Sequence, residues 1–81
     1  MRTTRDDIKQ WLNQRPEGAT HMIVFCDTFD HEDFPVYVMP GENIRARLDA
    51  AQGNPMQRLM EVYNYALPLE DQLNERRAYN L

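Results

Sequence analysis

His21-Met22-Ile23-Val24-Phe25-Cys26 is the run on which the fold turns. It is short, partly β-branched or aromatic, and apolar at successive positions rather than alternate ones. That pattern predicts a strand covered on both faces, and so central in a sheet. Downstream, Phe34-Pro35-Val36-Tyr37-Val38-Met39 predicts a second strand. Pro35 has no N–H to give a ladder, which places this strand's start at an edge or a bulge. The residues between them, Asp27-Thr28-Phe29-Asp30-His31-Glu32-Asp33, are polar and of hairpin length.

Helices flank this pair. Thr4 and Asp7 have the spacing of a capping box, and Ile8, Trp11 and Leu12 form one apolar stripe, so residues 4–14 predict a helix that Pro16 ends. Pro40-Gly41 breaks the chain, and Glu42 to Gln52 predicts a second helix with Ile44, Leu48 and Ala51 on one side. Gly53-Asn54-Pro55 stops it.

Residues 56–66 admit two readings. As a helix, Asn54 would cap it and Met56, Leu59, Met60, Tyr63 and Leu67 would form a stripe. As a strand, residues 58–65 have the right length and several β-formers. The strand is preferred, because a hairpin alone is marginally stable and a third strand relieves that. Pro68 then opens a last helix at its first position, with Glu70 and Asp71 in the first turn and Arg76 and Arg77 near the end. Its apolar stripe is thin (Leu69, Leu73 and Ala78), so it buries little. The whole reads as one α+β domain over residues 1–81, ordered α-β-β-α-β-α, with a three-stranded antiparallel sheet. A mostly helical domain with one hairpin is the runner-up.

Composition narrows the function. The 81 residues are 42% hydrophobic and 27% charged, with a formal charge of −4, the profile of an ordinary globular domain. An acidic balance argues against a general nucleic-acid binder. No apolar run approaches the ~20 residues of a membrane helix. Cys26, the one cysteine, excludes a disulfide framework and fits a reducing cytoplasm. The amino end is polar and predicts no secretion signal. A chain this short favours a working surface over a deep cavity, since pockets commonly need ~300–1,000 Å³. Small size also favours self-association as a homo-oligomer, which buries area that one core cannot.

No motif assigns chemistry. The chain has no serine, and its three glycines are isolated turn residues, so neither a serine triad nor a phosphate loop is present. Cys26 alternates with Met22 and Val24 and is expected in the core, where a thiol behaves as a small hydrophobe. No catalytic residue, metal ligand or cofactor is assigned. The hairpin 27–33 holds four carboxylates and His31 without the glycine and ligand order of a calcium loop. Its plainest reading is a solvated turn whose acids block edge-to-edge aggregation. The functional alternatives are a charged contact surface for a protein partner, or a site for a small ligand or metal ion. Aromatics on the sheet add to the contact reading, because tyrosine supplies area and a polar tip. The candidate partner-binding residues are therefore Phe29, Asp30, His31, Glu32, Asp33, Tyr37 and Tyr63, and the expected function is a non-enzymatic interaction module, a regulator or inhibitor of a larger protein.

The stretch from Ala19 to Val38, followed by Met60-Glu61-Val62-Tyr63, resembles short proteins encoded in bacterial and phage genomes. The resemblance spans about residues 4–79. It implies a bacterial or phage cytoplasmic origin and carries over no activity and no site residue.

Overall fold

The structure, a computed structural model, describes residues 3–81. Met1 and Arg2 of the polar amino end lie outside the described residues. The elements are α1 (Arg5–Asn13), β1 (His21–Asp27), β2 (Asp33–Val38), α2 (Ile44–Gln52), β3 (Gln57–Asn64) and α3 (Leu69–Leu73). The expected α+β order is therefore present, and residues 57–64 are strand rather than helix. At the start of α1 the capping box closes in both directions: the Asp7 N–H donates to Thr4 Oγ1 at 3.2 Å, and the Thr4 N–H donates to Asp7 Oδ2 at 2.9 Å. α2 begins two residues later than expected, at Ile44, because Asn43 takes the capping role by accepting from the Ala46 N–H.

The sheet order is β2-β1-β3, with both pairs antiparallel. Met22, Ile23, Val24 and Phe25 of the central strand are all buried, as an apolar run without alternation requires. Alternate residues feed two separate clusters. Met22, Val24 and Tyr63 pack with Ile8 and Leu12 of α1. On the other face Ile23, Phe25, Val38 and Val62 pack with Leu48 of α2. Truncating a side chain such as Leu48 to alanine would cost about 2–5 kcal/mol in a core this small.

One irregularity sets the pattern of β3. Val24 lies opposite Glu61, but Phe25 lies opposite Leu59, so Met60 is an extra residue, a β-bulge. In an unbroken strand Leu59, Glu61 and Tyr63 would share a face. The bulge instead sends Leu59 to the α2 cluster and Met60 to the α1 cluster, and it brings Arg58 opposite Cys26 on the α1 side.

The outer edge of β3 is sealed. The Asn64 N–H donates to Gln72 Oε1 at 2.7 Å, and Gln72 Nε2 donates back to the Asn64 carbonyl at 2.9 Å. One side-chain amide thus stands in for the peptide group of a further strand. Val62 exchanges bonds with the C-terminal segment, its N–H donating to Ala78 O at 2.9 Å and its carbonyl accepting from the Asn80 N–H at 3.1 Å. At the bulge, Arg77 Nε and Nη2 donate to the Met60 and Leu59 carbonyls at 2.9 and 3.0 Å.

This geometry corrects the expectation for the C-terminus. α3 ends at Leu73, Pro68 sits at its cap rather than its first position, and Arg76 and Arg77 lie beyond the helix. Ala78 is fully buried, but against β3 as part of the returning segment and not on a helical stripe. What holds the short helix is Gln72, whose Nε2 also reaches the Leu67 and Pro68 carbonyls.

Candidate functional site

Two features occupy the same end of the sheet, the hairpin tip and a groove beside it. The tip is tightly built. Asp27 Oδ1 accepts the Phe29 N–H at 2.8 Å and Asp30 Oδ1 accepts the Glu32 N–H at 3.0 Å, two turns closed by aspartate on the backbone two residues on. The backbone closes the loop with Asp27 N–H to Glu32 O and His31 N–H to Asp27 O. His31 takes the left-handed conformation at φ 60° that this turn demands. Thr28 fastens the tip to the start of β3, its N–H donating to Met56 O and its Oγ1 to Pro55 O. On this braced loop Phe29 is 83% exposed, and Met56 beside it is also exposed.

The expected contact residues therefore separate. Phe29, Asp30, His31 and Glu32 are exposed together at the tip, and Asp33 is half-buried at the start of β2. Tyr63 is not on any surface: it is fully buried, and its hydroxyl donates to Glu61 Oε1 at 3.0 Å. Burial, then the neighbouring Glu61 carboxylate, drives the Tyr63 phenol pKa far upward. Tyr37 is half-buried against the α1 cluster, with its hydroxyl donating to the Trp11 carbonyl. Both tyrosines serve the core.

Nor do the thiol and the His21 imidazole converge. His21 opens β1 and Cys26 stands five residues on, roughly 16 Å along an extended strand. Cys26 is half-buried at the sheet's end, not in the core as expected, because α1 does not extend over that part of the face. Burial, with a hydrogen bond to Asp33, raises its pKa and keeps it a thiol, the wrong state for a nucleophile. Burial lowers the His21 pKa and keeps its ring neutral. Among the described residues no three His, Cys, Asp or Glu side chains gather closely enough to hold a metal ion.

The groove was not foreseen. It is an open depression of about 860 Å³ on the α1 face, over Val24 and Met60, bounded by the first turn of α1 and the segment at 76–77. Four of the chain's eight arginines, Arg5, Arg58, Arg76 and Arg77, line it against two acids, Asp33 and Glu61. Two of these arginines are committed to structure. Arg5 pairs with Glu61 at 3.4 Å and donates to the Glu75 carbonyl, while Arg77 holds the edge of β3. Glu61 is held in turn by the Ala78 N–H at 2.9 Å. Arg58 and Arg76 are exposed and, among the described residues, make neither an ion pair nor a side-chain hydrogen bond. The signal was faint in sequence, because Arg58 reaches this face only through the bulge at Met60.

Comparison with family models, with curated proteins and with solved structures found no match to the chain. No helix among the described residues is long and apolar enough to cross a membrane.

Proposed function

We propose that this chain is a small, non-enzymatic, cytoplasmic interaction module whose contact surface is the hairpin tip Phe29–Glu32. One observation carries the reading: a phenylalanine 83% exposed on a loop that six hydrogen bonds fix in place. An aromatic so exposed gains nothing for the fold, whereas a rigid aromatic that is desolvated by a partner is a typical binding hot spot. Asp30 and Glu32 beside it give the encounter a charge preference. The cation-binding alternative for the same loop is weaker, since one oxygen each of Asp27 and Asp30 is already spent on the turn.

The test is affinity capture from the native cell with wild-type bait and with Phe29→Ala. A protein retained by the first and weakened at least about tenfold by the second is the expected result. Equal capture by both baits, with the melting temperature unchanged, would remove the tip from the function.

A further inference from the structure

We propose that the partner of the tip is a second copy of this chain, with the tip of each seated in the other's Arg58–Arg76 groove. The inference rests on the tip being a contact surface, and it names what the tip contacts. The tip presents one large apolar side chain, Phe29, 83% exposed, beside two exposed carboxylates, Asp30 and Glu32. The groove presents the complement: an apolar floor of Val24 and Met60, and two exposed guanidinium groups, Arg58 and Arg76, with no charge partner among the described residues. Its volume of about 860 Å³ is ample for one aromatic side chain and its neighbours.

The placement allows both contacts at once. Asp33 and Arg58 flank Cys26 on either side strand, so the groove begins where the tip ends. Two features so close on one molecule can meet their opposites across a single two-fold axis, giving a closed, self-complementary dimer rather than an open chain of copies. The tip does not fill its own groove. The bonds from Thr28 to the Pro55 and Met56 carbonyls hold the loop outward, and Phe29 remains exposed. Overall charge does not forbid the union of two acidic chains, because arginine is concentrated where the other copy's acids arrive. Guanidinium–carboxylate pairs also have the forked geometry that fixes orientation.

Charge exchange tests this directly. One variant carries Asp30→Arg with Glu32→Arg; the other carries Arg58→Glu with Arg76→Glu. All four positions are exposed, and a thermal melt checks that each variant folds. Sedimentation and light scattering across a concentration series should show wild type as a dimer and each variant alone as a monomer. A one-to-one mixture of the two variants should restore the dimer, since each tip then meets a groove of opposite charge. Phe29→Ala should raise the dimer dissociation constant at least about tenfold. A wild type monomeric throughout, a variant that dimerises unaided, or a mixture that stays monomeric would each overturn the inference. As a readout that needs no charge variant, a photo-crosslinking phenylalanine analogue at position 29, mixed with isotope-labelled chain, should join to residues 58–60 or 76–77 of the labelled copy. Crosslinks elsewhere overturn it. A monomer whose Phe29 still captures another protein overturns the dimer and leaves the tip reading standing.

Discussion

The two edge strands of the sheet face the same physical problem and meet it differently. β3 turns a row of backbone groups outward and satisfies them within the chain, through Gln72 at Asn64, the C-terminal segment at Val62, and Arg77 at Met60 and Leu59. β2 has no such cover: among the described residues no hydrogen bond reaches it from its outer side. Its protection is subtractive. Counting from the Asp27 N–H to Glu32 O bond, the Val24–Pro35 pair is one whose backbone groups point away from each other. The N–H that Pro35 lacks is therefore one that would have faced outward, and its absence interrupts the template for another strand. Covering an edge makes it part of the stability of the fold; interrupting an edge leaves stability alone and guards only against association.

That contrast can be broken at several points. The largest effect belongs to Gln72→Leu, which keeps the volume but strands the Asn64 N–H and carbonyl. It should cost about 2–4 kcal/mol and lower the melting temperature by roughly 10–25 °C. Amide exchange at Asn64 should speed up with it. Arg77→Met keeps the apolar stem and removes two bonds from an exposed guanidinium, so about 1 kcal/mol, or roughly 4–8 °C, is expected in the same melt. Pro35→Val on the opposite edge should change the melting free energy by less than about 1 kcal/mol. Its effect should appear instead as light scattering that grows with time and concentration. If Pro35→Val proved as destabilising as Gln72→Leu, the distinction between a covered and an interrupted edge would fail.

What the sequence made legible was local. The Thr4–Asp7 box, the doubly apolar run 21–26 and the edge proline each act through neighbours a few residues away, and each is where it was expected. The strand at 57–64 required a judgement about the whole sheet, and the need for a third strand decided it correctly against a fair helical stripe. The sequence predicts too long a C-terminal helix, because Arg76 and Arg77 suit a helix terminus on charge alone. Their actual surroundings, carbonyls and a groove some 17 residues back along the chain, leave no local trace. The thin apolar stripe of that helix was the usable hint: a helix with little to bury must be held by something else, and here it is one buried glutamine. Among the candidate contact residues, composition could not separate Phe29 from Tyr63. Only the tertiary structure shows one standing in solvent and the other sealed beneath α1.

The extra residue at Met60 reaches further than its own position. Side chains on a strand repeat with a period of two, so one inserted residue is a half-cycle change of phase for everything before it. Paired flush in the ladder, Met60 would make that change and exchange Leu59 and Arg58 between the two faces; bulged out, it absorbs the change and leaves Leu59 opposite Phe25 and Arg58 opposite Cys26, the faces they would also hold if Met60 were removed. The bulge, and not the length of the strand, thus keeps the guanidinium of Arg58 on the groove side.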